Sequence, residues 1–143
     1  MTASTWSAPE QGAPLRVHMI MPVGSDENYE LKRSVVDEVA NDTGVDFHFP
    51  LDHVQSGGFN LRAALARLGS ADLVIADLAL ERPSCYYELG LAQAVGCRTI
   101  LIAPTGTPLH QAAFRDAARF YSDLPGYTAL LHEILSLGRG SPR

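Results

Sequence analysis

Residues 71–104, ADLVIADLALERPSCYYELGLAQAVGCRTILIAP, hold the reading on which the rest of the chain depends. Leu73 to Ala76 is a short apolar run rich in branched residues, entered and left by Asp72 and Asp77. A run of that kind marks a strand buried on both faces. Glu81, Arg82, Pro83 and Ser84 make a polar, proline-containing turn, and no breaker follows until Gly96. Within that stretch Leu89, Ala92 and Val95, with Leu91 and Ala94, recur at helical spacing. Gly90, Ala92 and Ala94 are small enough for close contact with a sheet. Thr99 to Ala103 reads as a second buried strand, stopped by Pro104. Strand, helix, strand at this spacing is a parallel, right-handed crossover.

Working back towards the N-terminus, residues 1–14 are small, polar and proline-bearing, and are expected to form a disordered leader. Leu15 to Val23 is the first strand, apolar but for Arg16 and His18. A lone histidine there reads as a satisfied strand-end side chain rather than a ligand. Pro22, Val23, Gly24, Ser25, Asp26 and Glu27 form the first loop, where Gly24 permits close backbone approach and Ser25 or Asp26 caps the next helix. Tyr29 to Ala40 is that helix, with Leu31, Val35 and Val39 facing inward and Lys32, Arg33, Asp37 and Glu38 outward. Gly44 ends it. Val45, Phe47 and Phe49 alternate with Asp46 and His48, the pattern of an edge strand with one wet side.

Residues 50–58, PLDHVQSGG, follow that strand and bring Asp52 and His53 to the same end of the sheet. The three residues Ser56, Gly57 and Gly58 suit either a lid or a plain surface loop. Phe59 to Gly69 is a short helix with Leu61, Leu65 and Leu68 at core spacing. Beyond Pro104, Leu109 to Ala117 is a short irregular helix, Arg119 to Tyr121 a last edge strand, and Leu124 to Leu137 a closing helix striped by Leu130, Leu131, Ile134 and Leu137. Residues 138–143 are a tail. The expected architecture is α/β: a doubly wound, parallel sheet of about five strands in flavodoxin-like order 2-1-3-4-5, over residues 15–137.

Whole-chain properties narrow the function classes. The 143 residues suffice for one domain that hides about two-thirds of its unfolded surface. Apolar residues make up 46% and charged ones 19%, and the net charge is −5. With no run of Lys or Arg, neither nucleic acid nor an anionic membrane is expected as an electrostatic partner. No apolar stretch reaches the ~20 residues needed to span a bilayer. The start of the chain lacks a basic, then apolar, secretory signal. Cys85 and Cys97 lie at opposite ends of one helix, roughly 18 Å apart and beyond disulfide reach. Reduced thiols point to a cytoplasmic protein. The histidines are scattered without metal-ligand spacing, so no metal is expected. Gly-x-Gly-x-x-Gly, Walker and Gly-x-Ser-x-Gly patterns are absent, and no cofactor is expected.

The residues with chemistry to offer are Asp77 and Glu88. Ligands of open parallel sheets bind outside the carboxyl ends of the strands, where the helix N-termini also lie. Asp77 ends a strand, and Glu88, in Tyr86-Tyr87-Glu88-Leu89-Gly90, is expected in the first turn of the following helix. Two carboxylates converging there can act on a sugar or a base. Equally, a first-turn acid complements the helix dipole by ~0.3–1 kcal/mol, and an aspartate after a strand is an ordinary turn residue.

These segments resemble a known family. Residues 71–77 (ADLVIAD), Tyr86-Tyr87-Glu88-Leu89-Gly90-Leu91-Ala92-Gln93-Ala94 and residues 99–102 (TILI) are similar to the nucleoside 2-deoxyribosyltransferase-like superfamily, as is the opening Met19-Ile20-Met21-Pro22-Val23-Gly24. The superfamily includes deoxyribosyltransferases, nucleoside-monophosphate N-glycosidases and TIR-like nucleotide-binding domains. The resemblance implies the same fold, a homodimer, and cleavage of the N-glycosidic bond of a nucleoside or nucleoside 5′-monophosphate. It matches Glu88 to the family's catalytic glutamate. Asp77 then binds the base or sugar hydroxyls, and Asp52 or His53 protonates the departing base. Pro22, Gly24, Ser25, Tyr86 and Tyr87 join them as substrate-binding candidates, with Gly24 and Ser25 facing a sugar hydroxyl or a 5′-phosphate. The chain end lacks a clear counterpart of the residues that complete a neighbouring subunit's site in the longer transferases. A TIR-like nucleotide-sensing module and an NAD-cleaving domain are the alternatives.

Overall fold

The computed structural model describes residues 12–49, 60–110, 112 and 115–138. Five parallel strands form one sheet: β1 (Arg16–Ile20), β2 (Asp46–His48), β3 (Leu73–Asp77), β4 (Thr99–Pro104) and β5 (Arg119–Tyr121). Their order is β2-β1-β3-β4-β5, as the alternation of wet and dry strands predicts. Among the described residues three α-helices lie between strands, α1 (Tyr29–Thr43), α2 (Leu61–Ser70) and α3 (Pro83–Ala94), and a fourth, α4 (Leu124–Gly138), follows β5.

Each strand divides its side chains between two cores because successive residues point to opposite faces. Val17, Met19, Leu73, Ile75 and Ile102 pack under α1 and α4 with Val36, Tyr127, Leu131 and Ile134. Ile20, Val74, Ala76, Leu101 and Ala103 pack under α2 and α3 with Leu68, Cys85, Leu89 and Ala92. β3 is buried along its whole length, since it has a strand on either side and helices above and below. β2 pairs only with β1, the edge position its alternating pattern implies.

Capping follows local chemistry. Asn60 accepts the Ala63 N–H at 3.0 Å and starts α2. Gly44 takes a left-handed φ of 75° and returns its N–H to Ala40 O, which ends α1. Pro83 occupies the first turn of α3, where a missing N–H costs nothing. That early start is one correction to the sequence reading. Glu88 becomes the sixth residue of α3 and sits in its second turn, and Cys85 joins Leu89 and Ala92 as the buried stripe while Val95 is exposed. Gly90 and Ala94, expected against the sheet, are exposed too.

Helix faces elsewhere also differ by one position. In α1 the buried residues are Lys32, Val36 and Val39, and Leu31 points to solvent. The rotation follows from the carboxylates that await Lys32, described below. In α2 Ala64 and Leu68 are buried and Leu61 is not. In α4 Leu135 replaces Leu137 in the core, and Tyr127 extends the stripe by about one turn towards the helix start. Between Leu109 and Ala117, where the sequence reading has a short helix, the described residues contain one 3-10 turn, Arg115–Ala117.

Candidate active site

The carboxyl edge of the sheet carries the loops that follow each strand. Here the β1 loop meets the β4 and β5 loops around a cavity of about 550 Å³. Ser25, Asp26, Asn28, Thr107 and Ser122 line it with polar groups, and Lys32 and Tyr121 form its floor.

Under that floor lies Asp77. As an odd-numbered residue of β3 it points to the α1/α4 side with Leu73 and Ile75, and it is fully buried. The Lys32 ammonium lies 3.2 Å from its Oδ2. The Tyr121 hydroxyl donates to its carboxylate at 2.9 Å, and Ala79 N–H donates to Oδ1 at 3.1 Å. Lys32 turns its other side to Asp26, Nζ to Oδ2 at 2.5 Å, and lies 5.1 Å from the centroid of the Tyr121 ring. Two carboxylates on one ammonium explain how α1 buries a lysine, since a buried charge needs pairing. Burial raises the Asp77 pKa above its ordinary value, against the opposing pull of Lys32 and the hydroxyl of Tyr121. The Tyr121 hydroxyl is in turn held protonated by burial and by Asp77.

Glu88 is on the other side of the sheet. Its helix, α3, packs against the α2/α3 core through Cys85, Leu89 and Ala92. Its side chain is 21% exposed, and its Oε2 stands 3.9 Å from His18 Nε2. His18 reaches that side because Val17 and Met19, its neighbours in β1, point the other way. The imidazole is buried, and among the described residues its Nδ1 has no hydrogen-bond partner. The sequence reading takes His18 for a satisfied strand-end side chain; among the described residues its Nδ1 is left without a partner and its Nε2 faces Glu88, a neighbour that no local window of sequence contains.

The two carboxylates therefore occupy opposite faces of one sheet rather than a single cleft. Cys85 lies within electrostatic reach of both, and burial followed by these charges pushes its thiol up to about 12. Of the other candidates, Ser25 lines the cavity, Pro22 is buried and does not line it, and Gly24 is exposed with φ of 81°. Tyr86 and Tyr87 line a second, open hollow of about 870 Å³ with Glu81, Pro83 and His110. The Tyr86 hydroxyl donates to Glu81 Oε1 at 2.8 Å, as does the His110 N–H, and Tyr86 followed by His110 lowers the Glu81 pKa. These bonds hold Leu80 and Glu81, which adopt positive φ values of 63° and 46°. Asp52 and His53 lie outside the described residues. Among the described residues no group of three metal-ligating side chains converges, and no helix is long and apolar enough to cross a membrane.

No sequence-family profile matches the chain, and no curated protein matches it in sequence. Solved structures do match it in shape. A 2-deoxyribosyltransferase from Leishmania mexicana superposes with a TM-score of 0.62 at 20% identity, covering 84% of this chain and 98% of the other. A CMP N-glycosidase from Clostridium botulinum gives 0.58 at 17% identity, covering 82% and 98%. A 2-deoxyribosyltransferase from Bacillus psychrosaccharolyticus gives 0.56 at 18% identity, covering 77% and 88%. With the strand order 2-1-3-4-5 already established, the chain has the nucleoside 2-deoxyribosyltransferase-like fold.

Proposed function

We propose that this chain cleaves the N-glycosidic bond of a nucleoside or nucleoside 5′-monophosphate, with Glu88 as nucleophile. The observation that carries the reading is the Glu88 carboxylate itself: partly exposed, faced by His18, and set in the Tyr-Glu-Leu-Gly sequence of α3 on this fold. A carboxylate is suited to an anomeric carbon because the transition state there is oxocarbenium-like and its positive charge needs a nearby anion.

In the first step Glu88 bonds to C1′ as the bond from C1′ to the base nitrogen breaks, and the base leaves with the bond's electron pair. Its proton comes from Asp52 or His53, which follow β2 in the chain. In the second step water attacks C1′, loses a proton and frees Glu88 with release of the sugar. A second base in place of water gives transfer instead of hydrolysis. Asp77 serves from below by fixing Lys32 and Tyr121, and through Lys32 the first loop. The functional unit is a homodimer, and sedimentation at micromolar concentration checks this, with a monomer counting against it.

The test is incubation with nucleosides, nucleoside monophosphates and NAD, with base release followed chromatographically beside Glu88→Gln. Release by the wild type alone supports the reading. Release from NAD alone moves the activity to dinucleotide cleavage, and silence across the panel with intact folding removes the enzyme reading.

A further inference from the structure

We infer that Glu81 is a positioning residue for Glu88: its carboxylate ties the start of α3 to the loop after β4 and thereby sets where the nucleophile stands. This rests on the glycosidase reading above and deepens it.

Glu81 lies between β3 and α3, two residues before Pro83. Its Oε1 accepts the Tyr86 hydroxyl from the first turn of α3 at 2.8 Å, and the His110 N–H from beyond β4 at 2.8 Å. Its Oε2 stands 3.3 Å from His110 Nδ1. One side chain therefore joins three segments: the link after β3, the start of α3 and the loop after β4. Tyr86 and then His110 lower the Glu81 pKa, which keeps the acceptor ionised.

The helix has need of such a tie. Its N-cap residue, Arg82, makes no side-chain bond to the helix start. Cys85, Leu89 and Ala92 hold α3 to the sheet by apolar contact, an attraction with no preferred direction. Gly90, Ala94 and Val95 on its outer side are exposed. Packing of this kind fixes the distance of a helix from a sheet better than its position along its own axis. A hydrogen bond, with a set length and angle, fixes the second. Glu88 follows Tyr86 by two residues, about 3 Å along the axis, so any slide of α3 carries both together. The 3.9 Å between Glu88 and His18 depends on that slide.

The backbone gives independent support. Among the described residues three non-glycine residues have a left-handed φ: Leu80 at 63°, Glu81 at 46° and Leu109 at 53°. The first two form one end of the tie, and the third precedes His110 at the other. That region is sterically costly for any side chain. Leu80 is 57% exposed, so core packing does not hold it there. The bonds of Glu81 do, through its carboxylate and through its N–H to Leu78 O at 3.0 Å. Strain at both ends of one carboxylate's bonds is the mark of a conformation kept for placement.

The test compares Glu81→Gly, which removes the carboxylate at a φ that glycine adopts freely, with Glu81→Gln, which keeps an acceptor oxygen. In Glu81→Gly kcat for base release falls at least about tenfold while KM stays within about threefold, as for a misplaced reacting group. Glu81→Gln, whose amide oxygen still accepts, stays within about threefold of the wild type. Tyr86→Phe cuts the tie at its other end and serves if Glu81→Gly fails to fold. It shows a similar loss, and the double variant is no slower than Glu81→Gly alone. The imidazole resonances of His18, which faces Glu88, are assigned by their loss in His18→Gln. They shift in Glu81→Gly and Tyr86→Phe and stay in place in Glu81→Gln. Wild-type kcat in Glu81→Gly, a Gln variant as slow as the Gly variant, or losses that multiply in the double variant overturn the inference and leave the glycosidase reading standing. A lowered melting temperature with kcat unchanged does the same and makes the tie a stability element. If the wild type releases no base, that reading falls and the His18 resonances decide alone: a shift in Glu81→Gly sustains the inference, and an unmoved signal overturns it.

Discussion

His18 Nε2 stands 3.9 Å from Glu88 Oε2 across the contact between β1 and α3, and among the described residues the buried Nδ1 of the same ring has no partner. On the glycosidase reading, a ring with one nitrogen facing the Glu88 carboxylate at this distance is expected to position it. In His18→Phe, which fills the volume but presents no polar edge, kcat for base release falls about 10- to 100-fold, the scale of a misplaced reacting group. KM stays within about threefold. His18→Gln, with an amide near the Nε2 position, recovers most of the rate. Equal losses in both variants, with lowered melting temperatures, would make the ring a packing element.

Lys32 is the cation shared by two carboxylates whose hydrogen bonds otherwise come from neutral donors, the Tyr121 hydroxyl and the Ala79 and Asn28 N–H groups. Lys32→Met leaves Asp26 and Asp77 without their shared cation, and is expected to cost about 3–5 kcal/mol. In a domain of this size that lowers the melting temperature by roughly 10–15 °C. Adding Asp77→Asn to Lys32→Met removes the deeper uncompensated carboxylate and restores about 1 kcal/mol or more. Urea unfolding of both variants at pH 7 measures the difference.

Asp77 also makes stability depend on pH. Its pKa in the folded state is raised above the ordinary 3.8, chiefly by burial. Below 3.8 both folded and unfolded chains hold the proton. Above it the unfolded chain releases the proton first, so the native state binds more protons and its stability falls as pH rises through the folded-state pKa. Asp77→Asn removes this contribution, and unfolding free energies measured from pH 4 upward should fall less steeply than in the wild type. A variant with the wild-type slope would place the charge elsewhere.

The thiols provide a further check on packing. Cys85 is buried with its thiol pushed up to about 12, so at pH 8 it stays in the unreactive thiol form. Cys97 is partly exposed, its thiol donates to Leu68 O at 3.2 Å, and burial raises its pKa too. A thiol reagent at pH 8 should modify native Cys97 slowly and Cys85 only on unfolding, with both reacting at once in guanidinium. Rapid reaction of native Cys85 would show that α3 opens from the sheet.

The sequence by itself determined the sheet and its order. Leu73 to Ala76 and Thr99 to Ala103 are dry on both sides, while Asp46 and His48 interrupt an apolar alternation, and these local patterns report whether a strand has one neighbour or two. The position of Glu88 was legible to within a turn, because Pro83 gives the earliest helical residue but does not exclude a later start.

What only the tertiary structure decided is the company each polar residue keeps. Lys32 reads as a solvent-facing charge in its own helix. It is buried because Asp26 lies six residues before it and Asp77 forty-five after it, a pairing that no window of α1 contains. His18 and Glu88 are seventy residues apart, and Asp77 and Glu88 only eleven. Yet the first pair faces across one interface, while the second is divided by the sheet. Side-chain periodicity fixes which face a residue takes within its own element, and the packing of elements fixes what stands opposite. The chemistry of this site depends on the second.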